Sequence, residues 1–209
     1  MDYLQDPEKI YQQSFEIVRK EANLEGIPKD VAEIVVRMVH SCGIPEIAQS
    51  VRWSNGAIKS AHVALKNGAP IICDTQMVLQ GIMSDQRTSQ NQILCMIGLP
   101  NVKKIAHDRR TTRSAAQVEL WRPFLPGSIV AIGNAPTALF RLLEVISEDP
   151  TRKPAVILGF PVGFVGAAES KEALSKFSED IEFITILGRR GGSALASAAV
   201  NAITRGSTE

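Results

Sequence analysis

One pattern, a short apolar run followed by a glycine turn and a helix, occurs three times in the second half of the chain. Its copies cover residues 128–140, 155–174 and 184–203. Each apolar run contains β-branched residues, which is typical of a buried strand, and glycine allows the close turn into the helix. Strands that are apolar on both faces and alternate with helices predict a parallel sheet covered by helices on both sides.

Two further strands and a loop are predicted upstream of these repeats. Residues 70–74 and 92–97 are short apolar runs, and we interpret both as buried strands. Residues 98–110 carry many basic side chains and show no clear period, so a basic loop is predicted there. Capping hydroxyls at Thr111 and Thr112 then begin a helix that is expected to end before Pro123.

The first third of the chain is predicted to be helical. An Asp-Pro-Glu start signal predicts a helix over 6–22, and a second helix over 29–41 is ended by glycine and proline. We therefore predict one α/β domain over 1–209 with a three-layer Rossmann-like fold and a mainly parallel sheet. In this prediction, a helical N-terminal part (1–68) packs on the sheet core (69–209).

Composition narrows the class of protein. Twenty-three basic and 22 acidic side chains give a near-neutral chain, which argues against nucleic acid as the main partner. The polar N-terminus and the lack of a long apolar run predict a cytoplasmic protein without a membrane span or a signal peptide. Cys42, Cys73 and Cys95 form no CxxC pair, so neither a disulfide framework nor a metal site is predicted.

The glycine turns are the predicted location of the ligand site. In open parallel sheets, ligands bind beyond the carboxyl ends of the strands, where exposed N–H groups suit carboxylates or phosphates. Asn134 lies in the first of these turns, where it is a plausible cap for the following helix and a candidate substrate contact. The chain contains no GxxxxGK[ST], GxGxxG, GxSxG or HExxH motif, which disfavours nucleotide-dependent, serine-hydrolase and zinc-protease chemistry.

Three polar residues on the second helix are candidates for a site. Glu33, Arg37 and His40 are spaced four and three apart, so they form a stripe on one face. One interpretation is a surface ion pair between Glu33 and Arg37 beside an exposed histidine, and the other is a binding or catalytic site. Ser14 lies in the apolar stripe of the first helix, where a small polar residue at a packing edge is the simpler interpretation.

Arg113 is unusual because it lies in the first turn of its predicted helix. A cation is disfavoured beside the positive end of the helix dipole. The placement is favourable if the guanidinium faces an anion that the free N–H groups also bind.

Several segments together resemble the precorrin-8X methylmutase family, isomerases of corrin ring synthesis, and the match runs from about residue 10 to residue 203. The segments that carry the resemblance are 37–43 (RMVHSCG), 112–116 (TRSAA), 130–140 (VAIGNAPTALF), 159–171 (GFPVGFVGAAESK) and 191–193 (GGS).

The resemblance implies a 1,5-shift of a methyl group from C11 to C12 of precorrin-8X or cobalt-precorrin-8, giving hydrogenobyrinic acid or cobyrinic acid. It implies a polycarboxylate tetrapyrrole as substrate, no external cofactor, and a homodimer with the active site near the subunit interface. His40 corresponds to the proton donor and acceptor, Ser14 and Arg37 to substrate-binding residues, and Arg113 to an active-site arginine. Protonation of a ring nitrogen withdraws electrons from the macrocycle and should ease methyl migration.

Two other functions remain as alternatives. A non-catalytic binding protein for an anionic tetrapyrrole would use the same pocket without chemistry. A nucleotide-dependent enzyme on a Rossmann-like sheet is disfavoured by the missing phosphate-binding motifs.

Overall fold

The computed structural model describes residues 1, 3–83, 91–177 and 181–206. The helices in these ranges are α1 (Pro7–Glu21), α2 (Lys29–Cys42), α3 (Ala57–Lys66), α4 (Gln76–Gly81), α5 (Pro100–Asp108), α6 (Arg113–Trp121), α7 (Pro136–Glu148), α8 (Ala167–Ser175) and α9 (Ser193–Gly206). The strands are β1 (Val51–Trp53), β2 (Ile71–Cys73), β3 (Ile93–Leu94), β4 (Ile129–Ile132), β5 (Val156–Gly159) and β6 (Phe183–Ile186).

The strands form one six-stranded sheet in the order β1-β6-β5-β4-β2-β3. Strand β1 is antiparallel to β6, whereas the other neighbouring strands are parallel. The ends of β2, β4, β5 and β6 therefore meet at one edge of the sheet, which we call the carboxyl edge. The predicted turns at Gly133, at 160–166 and at 187–192 all follow strands that end there.

Helices cover both faces of the sheet. In β4, Ile129 and Ala131 pack into a core with α2, α3 and α9, whereas Val130 and Ile132 pack into a second core with α6, α7 and α8. Successive side chains of a strand point to opposite faces, so this alternation places one helical layer on each side. The predicted three-layer α/β fold with a mainly parallel sheet is confirmed.

Strand β1 lies inside the segment that was predicted to be purely helical. Val51 pairs with Ile186 and Trp53 with Ile184, so this segment supplies an antiparallel edge strand. Three residues are too few to show a strand period in the sequence. The division of the chain at residue 68 stays a prediction.

The prediction of a basic loop at 98–110 is wrong, because most of this segment forms α5. Pro100 occupies the first turn, and Val102 and Ala106, four residues apart, are buried against Ala116 of α6. Lys103, Lys104 and His107 lie on the exposed face of α5, so the basic composition hid a short amphipathic pattern.

The described ranges contain neither a membrane-spanning helix nor a cluster of side chains arranged to bind a metal ion. Their longest helix, α1, has 15 residues, fewer than the about 20 apolar residues that a bilayer requires. Within the same ranges, no group of three or more His, Cys, Asp or Glu side chains is arranged to hold a metal ion.

Candidate active site

His40 lies in the last turn of α2, where α2 packs against α1. Its Nδ1 atom is 2.9 Å from Oγ of Ser14. The ring of Phe15 stacks on the imidazole with a centroid separation of 4.9 Å and an interplanar angle of 19°. These contacts fix the ring, and His40 is exposed. Because Ser14 occupies Nδ1, Nε2 is the nitrogen available for proton exchange with a ligand.

Arg37 lies one turn before His40 and belongs to the same cluster. Its Nη1 donates a 2.7 Å hydrogen bond to the hydroxyl of Tyr11, and its guanidinium carbon lies 5.3 Å from the ring centroid of Phe15. The alternative ion pair between Glu33 and Arg37 is not formed, because Glu33 instead accepts a 2.6 Å bond from Arg19. The structure therefore brings together Ser14, Arg37 and His40.

Asn134 lies at the carboxyl edge, in a turn that is organised by a buried carboxylate. Asp74 is fully buried and accepts hydrogen bonds of 2.9 Å from the backbone N–H groups of Gly133, Asn134 and Ala135. Burial raises the pKa of Asp74, and the three N–H donors oppose that shift. The prediction that Asn134 caps the next helix is wrong: the cap residue is Ala135, which makes no side-chain capping bond. The carboxylate of Asp74 binds the free N–H groups instead.

Arg113 lies close to this turn, in the first turn of α6. The preceding Thr112 caps α6 by accepting a 3.1 Å bond from the N–H of Ala115. The same hydroxyl is 2.8 Å from Oγ1 of Thr137 in the first turn of α7. Exposed Arg113 and exposed Asn134 thus lie near each other at the carboxyl edge. The N–H groups of the Asn134 turn already bind Asp74, so the guanidinium of Arg113 and the side-chain amide of Asn134 are the groups that could bind an anion here.

The turn between β6 and α9 lies between these two groups of residues. On one side, a Cβ added to Gly133 would lie 2.7 Å from Cα of Ser193, so only glycine permits this approach. On the other side, burial raises the pKa of Cys42, two residues after His40, and the charge of nearby Arg190 opposes that shift. Both groups therefore adjoin the carboxyl edge. Among the described residues, no side-chain contact joins Arg113 or Asn134 directly to His40.

Lys171 holds this turn in place, a role that was not predicted from the sequence. Its side chain is fully buried, and Nζ donates a hydrogen bond to the carbonyl oxygen of Arg190. The adjoining Gly191 presses against the carbonyl oxygens of Phe160 and Pro161, where an added Cβ would collide. The signal was available, because Lys171 falls on the buried face of α8 with Ala167, at i and i+4.

Lys171 should make stability depend on pH. Burial lowers its pKa from 10.5 to about 8, so between these values the unfolded chain binds more protons than the native chain. The free energy of unfolding should therefore rise with pH across this window. Between pH 7 and pH about 10, we expect the free energy of unfolding of wild type to rise relative to that of Lys171→Met, as measured by urea denaturation. If the free energies of unfolding of the two proteins differ by the same amount at both pH values, the lowered pKa of Lys171 is contradicted.

Comparisons with known proteins identify the family of this chain. A family model described as precorrin-8X methylmutase matches residues 9–205. The chain is 48% identical over 203 residues to the precorrin-8X methylmutase of Pseudomonas aeruginosa, covering 97% of both chains. It is 36% identical over 200 residues to the cobalt-precorrin-8 methylmutase of Priestia megaterium, covering 95% of this chain and 87% of the relative.

The fold also matches a solved structure. The crystal structure of precorrin-8X methyl mutase from Thermus thermophilus superposes with a TM-score of 0.85 at 34% identity, covering 95% of this chain and 97% of that one. The sequence and structural matches both extend over nearly the whole chain. The chain therefore belongs to the precorrin-8X methylmutase family, whose members are isomerases.

Proposed function

We propose that this protein catalyses the 1,5-shift of a methyl group from C11 to C12 of precorrin-8X, giving hydrogenobyrinic acid. The main observation behind the proposal is that Ser14 and Phe15 hold the imidazole of His40, through a contact at Nδ1 and by stacking on its face. Arg37 lies one turn away. Membership of the methylmutase family supplies the reaction class.

In the proposed reaction, His40 donates a proton to a ring nitrogen of the macrocycle. The added charge withdraws electrons from the conjugated system, the bond from the methyl group to C11 breaks, and a bond to C12 forms. The proton then returns to His40, so the product is an isomer of the substrate and no external cofactor is needed. Ser14 is expected to hold the ring orientation that directs Nε2 toward the substrate.

The carboxylate arms of the substrate are expected to bind cationic and amide side chains. Arg37 stands beside His40, while Arg113 and Asn134 stand at two helix N-termini on the carboxyl edge. The higher identity to a precorrin-8X methylmutase (48%) than to a cobalt-precorrin-8 methylmutase (36%) favours the metal-free substrate over the cobalt-loaded one.

The proposal includes a cytoplasmic homodimer with its active site near the subunit interface. Phe164 and Val165, in the loop between β5 and α8 at the carboxyl edge, are 84% and 89% exposed. Large apolar side chains exposed beside a site are typical of protein interfaces. Sedimentation should give twice the mass of one chain, and a monomer at micromolar concentration would contradict this part.

The activity is tested by mixing the purified protein with precorrin-8X and, separately, with cobalt-precorrin-8, and recording the absorption spectrum over time. Conversion to a corrin spectrum is expected with the metal-free substrate. A ligand-bound spectrum that does not convert would instead favour a non-catalytic tetrapyrrole-binding protein. An unchanged spectrum with both compounds would overturn the proposal.

A further inference from the structure

A basic cavity lies between α1, α2 and α9, next to the residues that hold His40. Its volume is about 540 Å³. Tyr11, Phe15 and Arg37 line it and also form the His40 cluster, so the cavity continues from the candidate active site. Arg19, Lys29, Glu33 and Arg205 also line the cavity.

The charge of this lining is strongly positive. It carries four basic side chains, Arg19, Lys29, Arg37 and Arg205, and one carboxylate, Glu33. Arg19 and Glu33 pair with each other at 2.6 Å. Basic side chains therefore outnumber carboxylates in the lining, and a cleft of one charge sign concentrates ligands of the opposite sign.

Tyr11 stands between two guanidinium groups inside the cavity. Its hydroxyl accepts a 2.7 Å hydrogen bond from Arg37 and a 3.2 Å bond from Arg205. The two guanidinium carbons lie 5.9 and 5.6 Å from the centroid of its ring. Two guanidinium groups at one hydroxyl bring their N–H donors close together, an arrangement that suits a carboxylate.

The same tyrosine connects the cavity to the proposed chemistry. The ring centroids of Tyr11 and His40 are 5.9 Å apart, so the guanidinium pair and the imidazole are separated by one aromatic side chain. A flexible carboxylate arm can span this separation while its macrocycle stays against His40. Arginine binds a carboxylate through two parallel hydrogen bonds, which fixes the position of the arm as well as its charge.

We propose that Arg205 of α9 acts with Arg37 as a carboxylate-binding subsite, which holds one acidic side arm of the tetrapyrrole beside His40. The assignment rests on the proposed function for the identity of the substrate. Its basis is the shared cavity, the shared hydroxyl of Tyr11 and the charge of the lining. Arg205 is thus a substrate-binding residue contributed by the last turn of the chain's final helix.

The test uses Arg205→Gln and Arg205→Lys with two readouts. The first is the Kd of uroporphyrin, a stable porphyrin octacarboxylate, measured by absorption titration. Loss of a charge-assisted hydrogen bond should raise this Kd by about tenfold to a hundredfold for Arg205→Gln. Arg205→Lys keeps the charge but not the paired donors, so a smaller rise is expected. Lys20→Gln removes one charge from α1 outside the cavity and should leave the Kd within about twofold.

The second readout is turnover of precorrin-8X, where Arg205→Gln should raise KM and leave kcat nearly unchanged. An unchanged uroporphyrin Kd in Arg205→Gln, or no uroporphyrin binding by wild type, overturns the subsite. An equal rise in Lys20→Gln does the same, because it would show a general charge effect. Wild type that binds uroporphyrin through Arg205 but never converts precorrin-8X refutes the proposed reaction and leaves the subsite supported.

Discussion

Replacing His40 by alanine should lower kcat by about 10²- to 10⁴-fold, the range that a positioned general acid or base contributes. Binding should change much less, because the guanidinium groups of Arg37 and Arg113 remain. We expect the Kd of precorrin-8X to stay within about tenfold of wild type. Single-turnover absorption measurements at saturating substrate separate the two effects.

Two further variants sharpen this experiment. Ser14→Ala removes the hydroxyl beside Nδ1 but keeps the imidazole, so it should lower kcat by less than His40→Ala does. His107→Ala removes an exposed histidine from α5 and should leave kcat unchanged. If His40→Ala converts precorrin-8X at the wild-type rate, the proton is supplied by another group and our mechanism is wrong.

Among the substitutions that we propose, Asp74→Ala should lower the free energy of unfolding the most. The backbone N–H groups of Gly133, Asn134 and Ala135 would lose their acceptor, and those of Gly133 and Ala135 belong to buried residues. An orphaned buried donor costs about 1–3 kcal/mol, so we expect the free energy of unfolding to fall by about 3 kcal/mol or more. Equilibrium urea denaturation measures the change.

The control for this experiment is Asp108→Ala, which removes an exposed carboxylate at the end of α5. A surface substitution of this kind should change stability by no more than about 0.5 kcal/mol. Asp74→Asn keeps the shape of the side chain, but its amide nitrogen cannot accept, so an intermediate loss is expected. A loss below about 1 kcal/mol for Asp74→Ala would show that the turn is held by other contacts.

The sheet could be predicted because its strands are short apolar runs bounded by glycine or proline. Residues 129–132 and 156–159 are buried on both faces, and that burial is what their continuous apolar sequence reflects. β1 and α5 were not predicted, for two different reasons. β1 has only three residues and owes its conformation to pairing with β6, while the apolar face of α5 is narrow and surrounded by basic side chains.

Residue spacing could align candidate site residues only within one helix. Arg37 and His40 share a face of α2, so spacing could align them, and the family resemblance added Ser14 and Arg113. Contacts made across distant segments have no such signal: Arg205 meets Tyr11 across 194 positions, and Asp74 meets Gly133 across 59. Packing of α1, α2 and α9 on one side of the sheet creates the first of these contacts, and the neighbouring strands β2 and β4 create the second.

Helix α9 fixes the distance between the carboxyl edge and Arg205. Ser193 begins it at the carboxyl edge and Arg205 lies one residue from its end, so a rigid rod of about 18 Å joins the glycine turns to the distal arginine. Inserting one residue into α9 would rotate Arg205 by about 100° around the axis and displace it by about 1.5 Å. The length of this helix therefore fixes the spacing between the two proposed anion-binding positions, one at the glycine turns and one at Arg205.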